Sequence, residues 1–119
     1  MSIDPVALLK RYHAALNDYD ERTVTAMFAA GAIYVSPGVK GRIVGREAIT
    51  AAFTAYFAEH PDQVAIDEAV TLVAPDAVQS VWRLEATARS TGKRVTRRGT
   101  QTVTFDTDGL IRHVEVADA

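Results

Sequence analysis

The sequence predicts an α+β fold in which three N-terminal helices pack on one side of an antiparallel sheet. Apolar residues recur at helical spacing only in the first half of the 119-residue chain, whereas four segments of the second half are β-prone. Short connections at residues 74–77, 90–93 and 106–109 separate those four segments, and such tight connections are typical of an antiparallel meander. Helices followed by strands indicate the α+β class.

The first two helices begin at recognisable capping residues. Asp4 followed by Pro5 is typical of a helix start, because the Asp side chain accepts a hydrogen bond from a free backbone N–H and Pro fits the first helical position. This helix is expected to end near residues 17–18. Asp20 is expected to cap a second helix, which ends at Gly31.

The next part of the chain predicts a short strand, a loop and a third helix. Residues 32–36 are β-prone, and residues 37–45 are expected to form a loop because they hold one Pro and three Gly. The third helix is expected to cover residues 46–59, just before Pro61. Its buried face is expected to contain Ile49, Phe53, Tyr56 and Phe57.

The third strand of the meander holds a polar residue on its apolar face. Side chains alternate between the two faces of a strand, and Gln101 shares its face with Val103 and Phe105. A buried amide without hydrogen-bond partners costs about 1–3 kcal/mol, so Gln101 is either satisfied by the protein or lines a cavity in which a ligand satisfies it. The four strands are expected at residues 64–73, 78–89, 95–105 and 110–116.

Composition and charge exclude several classes of protein. Hydrophobic residues make up 48% and charged residues 24%, as in a soluble globular protein, and a single domain is expected over residues 1–119. No stretch reaches the ~18 apolar residues of a membrane span, and the net charge of −2 argues against a nucleic-acid partner. The chain has no cysteine and lacks the pattern of a signal peptide, so a cytoplasmic location is expected. The three histidines have no metal-ligand spacing, and neither a metal nor a cofactor is expected.

Four segments of the chain resemble the nuclear transport factor 2 superfamily, and more closely its SnoaL-like and ketosteroid-isomerase-like branch. Together they span nearly the whole chain, in the family's order and spacing. The resemblance implies a cone-shaped curved sheet, a four-strand meander plus a short strand, closed by helices around a pocket and often paired in a homodimer. The superfamily contains isomerases, cyclases, dehydratases, epoxide hydrolases and non-catalytic binders, so the fold does not fix the function. The segments are residues 10–17, 26–38, 45–49 and 102–111.

Three positions correspond to the site of ketosteroid isomerase, which uses an Asp base with a Tyr and a protonated Asp that bind the oxyanion. The resemblance places Tyr12 at the oxyanion Tyr and Gln101 at the protonated Asp. Ser36, which precedes Pro37, stands where the family has its base. A Ser hydroxyl is a poor base without an activating neighbour, so the family's own mechanism is not expected here.

The pocket is expected to have apolar walls and one charged residue at its opening. Arg97 has the same strand parity as Gln101 and is a candidate to pair with a ligand carboxylate or phosphate. Asp118 is a distant candidate for a base near the pocket mouth. The expected walls are Phe53, Phe57, Trp82, Leu84, Val103 and Val114.

Two functions fit these features. In the first, Tyr12 and Gln101 bind an oxygen of a small apolar carbonyl compound, and the protein is an isomerase, cyclase or dehydratase that stabilises an oxyanion without metal. The sequence identifies no inward-facing Asp, Glu or His that would move the proton. In the second, the protein is a non-catalytic dimerisation or ligand-binding module with a filled core of Trp82, Phe53 and Phe57.

The other face of the 95–105 strand predicts a partner for the sheet. It carries β-branched polar residues, which can lie in water or against a second sheet. The family resemblance favours a homodimer through this face, with twofold symmetry. The residues concerned are Thr96, Thr100, Thr102 and Thr104.

Overall fold

The computed structural model describes residues 3–37 and 41–118. Within these residues the chain forms three helices and six strands. In chain order they are α1 (Pro5–Asn17), α2 (Glu21–Met27), β1 (Phe28–Ser36), β2 (Gly41–Val44), α3 (Arg46–Glu59), β3 (Val64–Ala74), β4 (Ala77–Thr87), β5 (Arg94–Phe105) and β6 (Ile111–Asp118).

The six strands form one curved, unclosed sheet that is mostly antiparallel. Their order across the sheet is β2-β1-β6-β5-β4-β3, and only the pair β1 and β6 runs parallel. Strands β3 to β6 are the predicted meander, with each strand hydrogen-bonded to the next. The architecture confirms the predicted α+β class and its cone-like sheet covered by helices.

The predicted helix starts are confirmed by their hydrogen bonds. The Asp4 side chain accepts from the backbone N–H of Ala7 at 3.2 Å, and Asp20 accepts from that of Thr23 at 3.2 Å. The third helix covers Arg46–Glu59, the predicted range.

The prediction that the second helix reaches Gly31 is wrong. The helix ends at Met27, and Phe28 has extended backbone angles and begins β1. Phe28 pairs with Ile111 of β6 and is 1% exposed. Burial of this ring against the sheet therefore outweighs the weak local preference for helix.

The prediction of a loop over residues 37–45 is also wrong in part. Gly41–Val44 form β2, an edge strand in which Ile43 pairs with Tyr34 of β1. Residues 38–40, which belong to this prediction, lie outside the described part. The sheet therefore has a sixth strand, which the sequence did not predict because this segment is short and rich in glycine.

The register of β4 against β5 determines which side chains meet on the inner face of the sheet. Gln101 lies opposite Ser80, Gly99 opposite Trp82, and Arg97 opposite Leu84. Directly opposite residues point to the same face of a sheet. The main core lies between this inner face and the helices, and its largest fully buried side chains include Tyr12, Phe28, Phe105, Leu9, Ile49 and Ile111.

Candidate functional site

A cavity of ≈ 110 Å³ lies between the inner face of the sheet and helices α1 and α3. Its walls are mainly aliphatic and aromatic, with Phe53, Tyr56 and Phe57 supplied by α3. An apolar cavity of about 150 Å³ can hold benzene, so this one suits a group of about one six-membered ring. The polar residues that line it are His13, Ser36, Gln63, Asp67, Arg97 and Gln101.

Three of these polar side chains are joined in one hydrogen-bonded row. His13 Nδ1 lies 2.9 Å and 2.8 Å from the two carboxylate oxygens of Asp67. On the other side of the ring, His13 Nε2 lies 2.5 Å from Oε1 of Gln101. The His13 and Asp67 side chains are 14% and 21% exposed, and Gln101 is 7% exposed. The row is therefore largely shielded from water.

Local structure explains why these three residues meet. His13 is four residues after Leu9 on α1, so the two side chains share the helix face that covers the sheet. Asp67 is paired with Trp82 of β4, at the point where the pairing of β3 shifts by one residue. Such a bulge bends the strand and redirects its side chains. Gln101 approaches from β5, where it is paired with Ser80 and Val116.

The electrostatics of the row favour an ionised Asp67. Burial by itself raises the pKa of this carboxyl group, but the hydrogen bond and the charge of His13 oppose it. The neighbouring Ser80 hydroxyl, although outside full hydrogen-bonding geometry, and Lys10 act in the same direction, so the net pKa of Asp67 is lowered. An ionised carboxylate only accepts hydrogen bonds, so Nδ1 of His13 carries a proton and donates a hydrogen bond to Asp67.

The orientation of the Gln101 amide then decides the proton on the other ring nitrogen. With its oxygen facing His13, as in this structure, the amide suits an imidazole that also donates from Nε2. Half a turn of the amide presents its NH2 group instead and suits a neutral imidazole that accepts at Nε2. The amide nitrogen of Gln101 makes no hydrogen bond to the described residues in the present orientation.

The mouth of the cavity holds the second charged group. Arg97 donates from Nη2 to Asp118 Oδ1 at 2.6 Å, and its guanidinium carbon lies 5.4 Å from the centre of the Trp82 ring. The rings of Tyr56 and His60 contact each other nearby, tilted by 31° with their centres 4.4 Å apart. A shallow recess outside this point is lined by Arg97 and Asp118.

The structure brings most of the predicted site residues to the cavity but leaves three behind its wall. Those on the cavity surface are Ser36, Phe53, Phe57, Trp82, Leu84, Arg97 and Gln101. Tyr12, Val103 and Val114 are 0% exposed and pack in the core. Their proposed contacts with a ligand stay predictions.

Tyr12 is held in the core by its ring. The ring meets Phe28 edge-on with centres 5.6 Å apart, and the hydroxyl makes no hydrogen bond to the described residues. Burial, with a smaller effect of Tyr34, raises the pKa of this hydroxyl well above its ordinary value. The side chain of the next residue, His13, lines the cavity instead.

The expectation that no acid or base faces inward is wrong, because His13 and Asp67 both line the cavity. His13 had a signal in the sequence, since it falls on the apolar face of α1 at four residues from Leu9. Asp67 had none, because β3 has no single apolar face. The contact joins residues 54 positions apart, which the sequence pattern does not reveal.

Among residues 3–37 and 41–118, no group of three or more His, Cys, Asp or Glu side chains is placed to hold a metal ion. In the described part of the chain, no helix has the length and apolar character needed to cross a bilayer.

Comparison with solved structures confirms the fold. The chain is similar to RV0760c from Mycobacterium tuberculosis, crystallised with estradiol-17β-hemisuccinate, at 18% identity and a TM-score of 0.83, covering 94% of this chain and 91% of that one. It is similar to the Δ5-3-ketosteroid isomerase of a Mycobacterium species at 19% identity and a TM-score of 0.82, covering 97% and 93%. It is also similar to SalBIII, an epoxide hydrolase/cyclase-like enzyme of pyran ring formation in salinomycin, at 18% identity and a TM-score of 0.83, covering 95% and 88%.

Comparison at the sequence level gives the family. No curated protein matches the chain significantly. A family model described as the SnoaL-like domain matches residues 9–114, which is most of the chain. With the cone-like sheet and the covering helices, this match confirms the predicted resemblance, and the chain belongs to the SnoaL-like family of the nuclear transport factor 2-like superfamily.

Proposed function

We propose that this chain is a cytoplasmic small-molecule-binding protein that moves a proton on an apolar carbonyl compound, as an isomerase, cyclase or dehydratase does. The observation that carries the proposal is the row Asp67, His13 and Gln101 on the wall of an apolar cavity. The lack of cysteine suits a reducing compartment such as the cytoplasm.

His13 is the group that transfers the proton. In the neutral form, Nδ1–H donates to Asp67, which fixes the ring orientation, and the lone pair on Nε2 accepts from the Gln101 NH2 group until a bound ligand displaces that amide. Nε2 takes a proton from the carbon next to the ligand carbonyl, and the electron pair of that C–H bond moves onto the carbonyl oxygen. Asp67 stabilises the imidazolium that forms. Where the ligand has a C=C bond conjugated with this enolate, return of the proton to the far carbon of that bond moves the double bond, re-forms the C=O bond and completes an isomerisation.

Gln101 responds to the charge on His13. Its NH2 group faces a neutral imidazole, and its oxygen accepts from Nε2–H once the ring is charged. In the second state the amide nitrogen is released to donate to the developing oxyanion. A single rotation of the Gln101 amide thus accompanies proton uptake by His13 and allows the amide to stabilise the developing oxyanion.

The assignment of the base to His13 changes the role of Ser36. Ser36 lies on the cavity wall and is 5% exposed, at the family position of the base. A hydroxyl there can contact the ligand but lacks the basicity that the step requires. We assign Ser36 to ligand contact.

A second candidate function is ligand binding without chemistry. It is favoured by the hydrogen bonds of His13, since both ring nitrogens are already occupied by protein atoms. The cavity itself supports either ligand-based function over a filled core, because Trp82, Phe53 and Phe57 surround the space rather than fill it.

The two candidates differ in the exchange of ligand protons with solvent. The probe is β-benzoylpropionate, which has a phenyl ketone, exchangeable protons on the adjacent carbon, and a carboxylate. Its deuterium uptake in D2O is followed by NMR. We expect the wild type to accelerate uptake, His13→Gln to lose at least about 100-fold of that acceleration, and His113→Gln, a β6 histidine outside the cavity, to retain it. Binding without exchange would favour the second function, and no binding would remove both.

The outer face of the sheet supports a homodimer. Val64, Ile66 and Val81 are 52%, 43% and 41% exposed there, next to the polar β-branched face of β5. Pairing with a second copy would cover this apolar surface. Light scattering at micromolar concentration is expected to give a dimeric mass for the wild type and a monomeric mass for Val81→Lys. A monomeric wild type would contradict the dimer.

A further inference from the structure

The cavity has different charges at its two ends. The end formed by α1 and β3, here called the inner end, holds the Asp67 carboxylate with its histidine, whereas Arg97 lines both the cavity and the recess outside it and marks the mouth. The Arg97 side chain is 24% exposed. A ligand that fills the cavity therefore has one end against the Gln101 amide and the other against a guanidinium.

The guanidinium of Arg97 is held in place by two contacts, but most of its hydrogen-bond donors remain available. Trp82 lies beneath it at 5.4 Å, and Asp118 accepts one hydrogen bond from Nη2. The other N–H groups of this side chain make no hydrogen bond to the described residues. A guanidinium has five donors in a planar fork that matches a carboxylate.

The positive charge of Arg97 acts on the cavity as well as on the solvent. Burial raises the pKa of the Tyr34 and Tyr56 hydroxyls, both on the cavity wall, and the charge of Arg97 opposes this rise in both cases. Tyr34 lies on β1 and Tyr56 on α3, so the positive charge of Arg97 affects side chains on two different elements of the cavity wall. An anion placed between them would be in a favourable potential.

Arg97 and Gln101 line the cavity from two positions on one strand. Arg97 and Gln101 are four residues apart on the same face of β5, which places their Cα atoms about 13 Å apart. Gly99 lies between them and leaves room for the Trp82 ring. A Cβ on Gly99 would lie 2.8 Å from Trp82 Cζ2 and 2.1 Å from the carbonyl oxygen of Ala117.

We propose that the ligand is an apolar carbonyl compound with a monoanionic carboxylate, which binds Arg97 while the carbonyl oxygen binds at Gln101. This inference rests on the proposed function for the inner end of the cavity only. A monoanion is favoured over a phosphate, because the Asp118 carboxylate already offsets the charge of Arg97 and a dianion would leave a larger net negative charge at the mouth.

Asp118 is the competitor of the ligand carboxylate in this arrangement. In the free protein it holds Arg97 by one hydrogen bond, and its own side chain is 43% exposed. Replacing it with Asn removes a negative charge next to the incoming anion. Affinity for the carboxylate should then rise several-fold, while affinity for an uncharged analogue should not change.

The test compares β-benzoylpropionate with its primary amide, which keeps the ring, the ketone and the length but has no charge. Binding of each to the wild type, Arg97→Gln, Arg97→Lys and Asp118→Asn is measured by titration calorimetry, and folding of each variant is checked by circular dichroism. We expect the wild type to bind the carboxylate about tenfold more tightly than the amide, which is the scale of one charge-assisted hydrogen bond. Arg97→Gln should bind both within about twofold, and Arg97→Lys should keep part of the preference.

The outcomes separate this inference from the proposed function. Equal binding of the acid and the amide to the wild type, or an unchanged preference in Arg97→Gln, would overturn the carboxylate site and leave the cavity intact as a ligand site. Failure of both compounds to bind the wild type would overturn the cavity as a ligand site and the carboxylate site with it.

Discussion

The two ends of the cavity each pair a carboxylate with a nitrogen-containing side chain, yet their surroundings differ. Asp67 and His13 are 21% and 14% exposed and come from β3 and α1, distant in sequence. Asp118 and Arg97 are 43% and 24% exposed and come from the neighbouring strands β6 and β5. A shielded pair is held in fixed geometry, which proton transfer requires, whereas an exposed pair is weak and can be exchanged for a ligand.

The largest effect on stability is expected at Gly99, where the backbone of β5 lies close to the backbone of β6 beside the mouth of the cavity. A methyl group at Gly99 would overlap the Ala117 carbonyl oxygen at 2.1 Å, so β6 must move and Asp118 with it. We expect Gly99→Ala to lower the free energy of unfolding by about 3 kcal/mol or more and to weaken the preference for the carboxylate probe.

The matched control for this change is Gly31→Ala, since nothing lies within 4 Å of a Cβ at Gly31 and its φ is not positive. It should change the free energy of unfolding by less than about 0.5 kcal/mol. Urea denaturation measures both variants. Similar unfolding free energies for Gly99→Ala and Gly31→Ala would show that the close approach of β6 to β5 at Gly99 is not required for stability.

The next effect compares the two carboxylates directly. Asp67→Asn removes a charged acceptor from a shielded histidine, and we expect a loss of about 1–3 kcal/mol in the free energy of unfolding. Asp118→Asn breaks an exposed ion pair and should cost less than about 1 kcal/mol. Equal losses in urea denaturation would mean that the two ends of the cavity do not differ in solvent shielding.

The smallest effect is the pH dependence of the inner end. The pKa of Asp67 is lower in the folded protein than its ordinary value. Its stabilising contribution is therefore complete above the unfolded pKa of about 3.9 and is lost as pH falls through the folded value. The difference in unfolding free energy between wild type and Asp67→Asn should shrink below about pH 4.

Other carboxylates do not obscure this comparison. Hydrogen bonds from Ser90 and Thr87 lower the pKa values of Glu59 and Asp62, but these groups are present in both proteins and their effects cancel in the difference. Thermal unfolding of both proteins from pH 2 to pH 7 measures this difference in unfolding free energy. A difference that stays constant down to pH 2 would show that Asp67 is not held ionised by its surroundings.

Patterns along the chain predicted elements better than contacts between them. The helix over residues 46–59 and the strands around Gln101 follow from periodicity, because one face of each is buried. The change from helix to strand at Phe28 did not, since it depends on packing against Ile111. Gln101 was found by its place in the strand, whereas its partner His13, 88 positions away, required the fold.

The most direct test of the account is a crystal structure of the protein with β-benzoylpropionate bound. The account predicts the ketone oxygen within hydrogen-bonding distance of the Gln101 amide nitrogen, the adjacent CH2 carbon next to His13 Nε2, and the carboxylate on Arg97. A ligand outside the cavity, or one inside it whose ketone lies away from His13 and Gln101, would contradict the assignment of the inner end as the reactive site.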